Sequence, residues 1–384
     1  INEKKIALSL YYKSPATYKF MRKNDIILPG ESTIRRWLNS INYSTGFPLK
    51  YMEQIQLKIS GLKGNEKKCA ILLDEVSIMK YIEYNKILDE IEGFEDLGIL
   101  GRTNKLGSQA LVFMVRGIYK NWKFPLCYFF TGSGIKGDDL ITIVKNCVEK
   151  ILKLGLLPKC IICEFVIKDQ GTQNQRMFKL LGGTEKDPST IVNNKKLFLV
   201  YDMPHLIKSL RNNLLNGDFE ISKNKIVSIN DIKTTYNIDV QNIARAMVNI
   251  TPTHLAPNPF QKMNCKLAIQ LLSHTVSAAL KTCISTGELK SSTAYNTANF
   301  IDIVNNMFDS ANSKHIYDLN PNRRPMCDRN PQVLDNLENA NSMFQNARKI
   351  CHKTKKIITP PCFVGVVWKL LLYVKFTSPK NWKL

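Results

Sequence analysis

The 384-residue sequence has little that would bind a metal ion or a nucleotide through a well-known short motif. It contains no Gly-rich phosphate-binding loop of the P-loop type. Of its ten cysteines, only Cys160 and Cys163 have CxxC spacing, and neither a second pair nor a nearby histidine completes a zinc site. We interpret this pair as thiols of a buried strand, with a metal or redox role as the alternative.

Long apolar runs and a secretory signal are also lacking. The longest late apolar run, 362–376, contains Lys369 and Lys375, and is too short and too charged to span a bilayer. We therefore expect no membrane contact, reduced thiols and an intracellular location.

Negative charge is scarce as well, since 32 Asp+Glu face 54 Lys+Arg and leave a net charge of +22. Such an excess favours a polyanionic partner, because each phosphate that is neutralised releases counterions. A genome that enriches Lys, Asn and Ile together would give the same excess. The acids concentrate in 71–100, where eight stand against two lysines, as on a solvated face or at a divalent-metal site.

The beginning of the chain has helical character. One amphipathic helix is predicted over 4–22, and a Pro-Gly turn follows it. Ser32 or Thr33 is the candidate N-cap of a second helix, which carries Arg35 and Arg36. This order is typical of a helix-turn-helix in which these arginines contact DNA, and a plain helical hairpin with a basic face is the alternative.

From residue 68 to residue 215, apolar runs of strand length alternate with helical patterns. Strands are predicted over 69–78, 87–94, 110–119, 124–131, 160–168 and 197–201. Helices are predicted over 138–154, 173–181 and 205–215. Antiparallel strands first and parallel strands later make a mixed α/β sheet, as in an RNase H-like core.

After residue 216 the strand signals fade. Helices are predicted over 240–248, 262–286, 292–310, 332–351 and 364–374, with a proline-containing loop over 311–335. The expected fold is therefore an α/β RNase H-like core, preceded by a helix-turn-helix-like segment and followed by a mainly α-helical domain. The predicted boundaries are 1–62, 63–215 and 216–384.

Asp74 and Asp169 each end a predicted strand of the core and are the candidate catalytic and metal-binding residues. An RNase H-like nuclease brings carboxylates from separate strands onto two divalent ions about 4 Å apart, which stabilise the attacking and leaving oxygens. Water or a DNA 3′-hydroxyl is then the nucleophile. Solvated strand ends or helix caps are the alternative for both aspartates.

Four segments, in order along the chain, share a distinctive pattern. They are ILLDEV at 71–76, LVFMVRG at 111–117 with WKFP at 122–125, DQGTQNQ at 169–175, and DMPHLIK at 202–208 with RNN at 211–213. Together they resemble the P-element-type DNA transposases, the family that includes the THAP-domain transposases. The resemblance implies a nuclear DDE-type enzyme that cuts and joins DNA with Mg²⁺ or Mn²⁺.

By this resemblance, Asp74 and Asp169 take the places of the first two metal ligands. Asp202 and His205 match a family motif for which we expect a structural role. The implied partners are transposon ends and target DNA, GTP, and further copies of the chain in a homo-oligomer.

The family also inserts a helical GTP-binding domain into its core. Residues 266–273 resemble its nucleotide-contacting helix, which makes Ser273 a candidate contact, and 302–309 resemble a second contact segment. There, Asn305 and Asp309 match the polar positions. A carboxylate such as Asp309 accepts hydrogen bonds from the guanine edge, which would select guanine over adenine.

The sequence departs from the family pattern at several places. Asn249 and Asn264 stand where lysines are expected, so the phosphates of GTP should bind more weakly. Residues 164–168 look like an insertion before Asp169, and neither the third acid, a glutamate, nor the zinc-bearing THAP domain is found. We expect an incomplete or inactive transposase, with a non-catalytic DNA-binding relic or a domesticated repressor of transposition as the alternative.

Overall fold

The computed structural model describes residues 2–39, 44–86, 89–132, 134–163, 172–313 and 315–376. The chain divides into two compact units. The first unit comprises Ile1–Lys67, Glu75–Met114 and Phe124–Ser133. The second unit comprises Lys68–Asp74, Val115–Lys123 and Gly134–Leu384.

Four helices open the first unit: α1 Asn2–Lys13, α2 Pro15–Lys23, α3 Glu31–Asn39 and α4 Leu49–Ile59. The single helix predicted over 4–22 is two helices, because Ser14 caps α2 by accepting a hydrogen bond from the Thr17 backbone N–H at 3.1 Å. Pro15 then starts α2 at a position where no backbone N–H is needed. The prediction that Ser32 or Thr33 caps the next helix is wrong, since α3 already begins at Glu31.

A small hydrophobic core holds α1, α2 and α3 together. Ala7, Tyr18 and Ile34, one from each helix, are buried in contact with one another. The Tyr18 hydroxyl also donates a hydrogen bond to the Pro29 carbonyl at 2.7 Å, which fixes the turn before α3. This arrangement is the predicted helix-turn-helix-like segment.

The strands up to residue 201 include one large sheet and one separate hairpin. They are β1 Lys68–Ser77, β2 Glu83–Asn85, β3 Glu90–Glu92, β4 Phe94–Asp96, β5 Arg102–Leu106, β6 Gln109–Gly117, β7 Lys123–Thr131, β8 Leu157–Cys163, β9 Ser189–Val192 and β10 Lys195–Tyr201. The large sheet has the order β5-β4-β7-β6-β1-β8-β10-β9, and among the described strands β2 pairs only with β3. The prediction of one strand over 87–94 is wrong, because this range contains β3 and the start of β4, which belong to different sheets. Residues 87 and 88 lie outside the described part.

The physical reason for that error is Gly93, which separates β3 from β4. Its φ of 111° is in a region that residues with side chains rarely adopt. A Cβ atom there would lie 1.9 Å from the carbonyl oxygen of Tyr81. The chain therefore turns at Gly93 and begins a second strand.

The central strands β1, β8 and β10 are parallel neighbours, with β8 in the middle. Three helices accompany this part of the sheet: α5 Gly137–Lys153, α6 Thr172–Leu180 and α7 Met203–Leu215. A mixed sheet with helices of this kind confirms the predicted RNase H-like core.

The remainder of the second unit is mainly helical. Its helices are α8 Ile229–Gln241, α9 Pro252–Leu255, α10 Cys265–Leu271, α11 His274–Ser285, α12 Ala294–Ala311, α13 Pro331–Asn346 and α14 Pro361–Phe376. A four-stranded sheet was not predicted; it consists of β11 Gly217–Ser222, β12 Lys225–Val227, β13 Arg348–Cys351 and β14 Ile357–Ile358. These strands are short, and β11 pairs with β13 across more than a hundred residues, so local patterns do not reveal them.

Three helix predictions in this region are wrong in whole or in part. The helix expected over 332–351 ends at Asn346, because Arg348–Cys351 form β13 and pair with β11. The helix expected over 240–248 does not form, because the buried Asp239 carboxylate holds a turn there. It accepts hydrogen bonds from the Ala246 backbone N–H at 2.6 Å and from the Arg245 side-chain Nε–H at 3.1 Å. The helix expected over 262–286 is divided into α10 and α11. The stretch Cys265–Ser285 is long and apolar enough to cross a membrane by composition alone, but α11 packs along α12.

Helix α14 packs on the core sheet. The Trp368 indole N–H donates a hydrogen bond to the Leu199 carbonyl of β10 at 2.9 Å. The same ring stacks on Phe178 of α6 and meets Tyr201 edge-on. These contacts tie α6, β10 and α14 together behind the strand ends.

Candidate functional site

Two aspartates lie at one edge of the sheet, where the parallel pairing of β1, β8 and β10 ends. Leu73 of β1 and Tyr201 of β10 both pair with Cys163 of β8. Asp74 and Asp202 are the next residues after that row, and the Asp202 backbone N–H donates to the Cys163 carbonyl at 3.0 Å. Because β8 lies between them, their Cα atoms are about 10 Å apart, roughly two strand spacings.

Asp74 is exposed at this edge, as a residue that binds a metal ion and DNA must be. Asp169, the second predicted ligand, lies outside the described residues. Within the described part of the chain, no group of three or more His, Cys, Asp or Glu side chains is placed to hold a metal ion. Of the two predicted ligands, Asp74 alone is among the described residues.

Asp202 has a structural role at the start of α7. Its carboxylate accepts hydrogen bonds from the His205 backbone N–H at 3.3 Å and lies 2.7 Å from Nδ1 of the same residue. Burial alone would raise the pKa of Asp202, but the hydrogen bonds and charge of His205, together with the charge of Lys369, hold it below its usual value. The aspartate and histidine of the DMPHLIK motif thus form a helix N-cap.

Lys369 introduces a buried positive charge behind the same edge. It lies in the otherwise apolar helix α14 and is 7% exposed. Burial lowers its pKa to about 8, although the negative charge of Asp202 acts in the opposite direction. Burial also raises the pKa of the neighbouring Cys160 to about 12, so this thiol stays protonated, in keeping with a strand thiol.

The RNN segment that follows the motif attaches α7 to the helical body. The fully buried Arg211 donates through Nη2 to the Lys262 carbonyl at 3.0 Å, and the Asn212 amide donates to the same carbonyl at 3.3 Å. Asn213 accepts a hydrogen bond from the buried Lys349 of β13 at 2.9 Å. This segment therefore positions the helical body relative to the end of β10.

The three predicted nucleotide contacts lie close together. Ser273 immediately precedes α11, and the backbone N–H of His274 donates to Oδ1 of Asn305 on α12 at 3.2 Å. The Asn305 amide in turn lies 3.5 Å from Oδ2 of Asp309, one helical turn further on. A hydroxyl, an amide and a carboxylate thus line one region between the start of α11 and the side of α12.

The Asp309 carboxylate already has protein partners that the sequence did not indicate. Arg323 donates through Nε to Oδ1 at 2.9 Å, and the Asn320 amide donates to Oδ2 at 2.9 Å. Asp309 is buried and Arg323 is half-exposed. Local sequence patterns could not identify Asn320 and Arg323 as partners of Asp309, since both lie in the loop predicted over 311–335.

The two asparagines expected to weaken phosphate binding have different environments. Asn249 is exposed. Asn264 caps α10, where its side-chain oxygen accepts a hydrogen bond from the Lys266 backbone N–H at 2.8 Å. A lysine at position 264 could not accept this bond, so Asn264 has a folding role here.

The predicted DNA contacts lie on the solvent side of α3. Arg35 and Arg36 are both exposed, whereas Ile34 beside them is buried in the small helical core. Arg35 also forms a loose ion pair with Glu31 at 3.9 Å. Both guanidinium groups are therefore accessible to a phosphate backbone.

Comparison with known proteins agrees with this architecture. Residues 43–182 match the model of a TNP-like RNase H N-terminal domain, and residues 204–324 match that of a TNP-like GTP-binding insertion domain. The chain belongs to the P-element-type transposase family. The first match covers Asp74, and the second covers the three predicted nucleotide contacts.

Two curated relatives in this transposase family are similar over most of the chain. The transposable element P transposase of Drosophila melanogaster is 26% identical over 312 residues, which cover 80% of this chain and 38% of that protein. The DNA transposase THAP9 of Homo sapiens is 24% identical over 329 residues, which cover 82% of this chain and 35% of that protein. The chain thus spans little more than a third of the length of either relative.

A solved structure shares the fold of this transposase chain. The Drosophila P element transposase strand transfer complex superposes with a TM-score of 0.77 and 21% sequence identity. The match covers 98% of this chain and 80% of that one.

Proposed function

We propose that the chain is the core of a DNA transposase that cleaves DNA and transfers strands with Mg²⁺ or Mn²⁺, using GTP as a cofactor. We also propose that its activity is weak or lost, because the sequence offers no counterpart of the family's third acid. The observation that carries the proposal is Asp74, an exposed carboxylate on the central strand β1 of an RNase H-like sheet, directly after the last residue of β1 that pairs with β8. Asp169 is the proposed second ligand. The metal ions would supply charge stabilisation for the attacking and leaving oxygens.

DNA is the proposed partner, both as transposon ends and as target, and the nucleus is the proposed location. The net charge of +22 supports a polyanionic partner. Arg35 and Arg36 on α3 are proposed to contact the DNA. The proposed domain boundaries remain 1–62, 63–215 and 216–384.

Ser273, Asn305 and Asp309 are proposed to hold the guanine end of GTP. Guanine presents two neighbouring N–H donors, which suit a carboxylate acceptor, whereas adenine presents a donor beside an acceptor. Lys266, which is exposed beside Asn264, is available to attract the phosphates. Because the two expected lysines are asparagines, we propose weak phosphate binding and a nucleotide affinity that depends mainly on the base.

The test is metal-dependent nicking of supercoiled DNA, measured with the wild-type chain and with Asp74→Asn. Asp335→Asn, an exposed aspartate on α13, is the matched control. Nicking that requires Mg²⁺ or Mn²⁺, is lost in Asp74→Asn and is kept in the control supports the proposal. Nicking that persists in Asp74→Asn contradicts the assignment of this residue.

A second candidate function is DNA binding without cleavage, as in a repressor of transposition. It is favoured by the exposed arginines of α3 and by the net charge of +22, both of which suit DNA binding. It predicts binding that weakens steeply with salt and no nicking. The same assay, combined with a salt series, separates the two functions.

A further inference from the structure

The acidic hairpin β2-β3 and its flanks form an arm that carries exposed apolar side chains. We define the arm as the described residues of 76–92. The large apolar side chains exposed along it are Val76, Met79, Tyr81, Ile82, Tyr84 and Ile91. Met79 is 83% exposed and Tyr84 is 54% exposed, so the arm presents much more apolar surface than scattered single residues would.

The rest of the chain gives the hairpin of the arm little support. Among the described strands, β2 and β3 pair only with each other, and an isolated hairpin is marginally stable in water. An ion pair between Glu90 and Arg102 of β5 at 2.8 Å links the hairpin to the large sheet. Glu83 and Glu92 are directly opposite each other in the ladder, and like charges at such positions are unfavourable. A partner that covers the apolar side chains and supplies positive charge would relieve both problems.

The sign of the charge on the arm indicates the kind of partner. Four acids and two lysines give 76–92 a net charge of −2, in a chain whose net charge is +22. Arg102 of β5 already pairs with Glu90, so Glu83, Asp89 and Glu92 are the acids that a basic partner would meet. A surface of this sign repels nucleic acid and attracts basic protein surfaces. The remainder of this same chain is such a surface.

Helices α1 and α2 have the complementary character. Between residues 2 and 23 they carry six basic side chains and one acid, a net charge of +5, and all six basic side chains are exposed. They also expose large apolar side chains, with Tyr12 69% exposed and Phe20 66% exposed. Helices α1 and α2 thus combine exposed apolar side chains with positive charge, whereas the arm combines them with negative charge.

Both surfaces belong to the first unit, and both are exposed, so they do not cover each other within one chain. We propose that the arm of one copy docks onto α1-α2 of a second copy, and that the exchange is reciprocal. Two-fold symmetry then provides two identical contacts, which together bury more surface than one hairpin could alone. Arg35 and Arg36 lie on α3, outside the docked helices, and remain available.

Sedimentation equilibrium of the intact chain without nucleic acid tests this proposal at low and high salt. We expect a dimer whose association constant falls at least tenfold in Tyr84→Ser and in Phe20→Ser, one variant on each side of the contact. Leu57→Ser, which is 76% exposed on α4 of the same unit, should leave the dimer unchanged. A chain that stays monomeric at low salt, or a dimer equally strong in all variants, overturns the proposal.

Zero-length carbodiimide coupling, which joins carboxylates to amines in direct contact, identifies the two surfaces. Isotopically light and heavy chains are mixed, coupled and digested. We expect mixed-isotope products between Glu83 or Asp89 and the lysines of α1-α2. A dimer whose inter-chain products lack the arm overturns the proposal, and this outcome leaves the proposed reaction on DNA unaffected.

Discussion

The guanidinium of Arg323 donates a hydrogen bond from Nε to Oδ1 of Asp309 at 2.9 Å. A guanidinium edge carries two neighbouring N–H donors, as does the edge of guanine, so Arg323 resembles the base that Asp309 is proposed to bind. We therefore expect Arg323 to compete with guanine for the same carboxylate.

From this competition we predict that Arg323→Ala binds GTP more tightly than the wild type, by roughly fivefold, since breaking a half-exposed ion pair costs up to about 1 kcal/mol. Arg324→Ala is the control, because Arg324 donates to the Asp318 carbonyl and not to Asp309. Fluorescence titration with a labelled guanine nucleotide measures the difference. Weaker binding by Arg323→Ala would instead make Arg323 a direct nucleotide contact.

Substitutions of Asp202 distinguish a structural role of this residue from a role in the reaction. Asp202→Ala removes the N-cap of α7 and the partner of His205, and we predict a loss of about 1–2 kcal/mol in the free energy of unfolding. Asp202→Asn keeps a capping oxygen and should lose much less. Urea denaturation measures both variants. A stable Asp202→Asn that has lost metal-dependent nicking would contradict a purely structural role.

The buried Arg211 is predicted to be a major tie between α7 and the helical body. Arg211→Met leaves the Lys262 carbonyl without this donor and should cost about 2–3 kcal/mol of unfolding free energy. Arg176→Met is the control, because Arg176 is largely exposed and its ion pair with Asp138 spans 3.6 Å. Equal stabilities for the two variants in thermal unfolding would refute this role.

Because burial lowers the pKa of Lys369, we predict that the free energy of unfolding rises with pH. Its pKa is about 8 in the folded chain and near 10.4 when unfolded, so between these values the unfolded state binds more protons and folding becomes more favourable as pH rises. Below about pH 8 both states are protonated and the cost of burying the charge is fully present. From pH 8 to 10, the wild type should gain about 1–3 kcal/mol relative to Lys369→Met. Parallel curves for the two proteins would show that Lys369 does not titrate in this range.

Local patterns were sufficient for the elements that position the candidate catalytic edge. The apolar run before Asp74 predicted β1 because a central parallel strand is buried on both faces. The helix predicted over 205–215 is α7, which begins two residues earlier at Met203, because Asp202 caps it and Pro204 suits its first turn.

Features that depend on distant contacts could not be predicted in this way. β11 pairs with β13 across a whole helical body, and neither strand is long enough to show a period. The turn held by Asp239 replaced a predicted helix, because a buried carboxylate outweighed the local helical pattern. The pairing of Asp309 with Arg323 likewise depends on a loop whose path no short motif encodes.

Guanine selectivity at Asp309 tests most directly whether the helical body binds GTP, as proposed for the domain that accompanies the RNase H-like core. Isothermal titration of GTP and ATP into the wild type, Arg323→Ala and Asp309→Asn measures it. We predict that GTP binds at least tenfold more tightly than ATP to the first two proteins, and that Asp309→Asn loses this preference. Equal binding of both nucleotides, or no binding even to Arg323→Ala, would contradict this prediction.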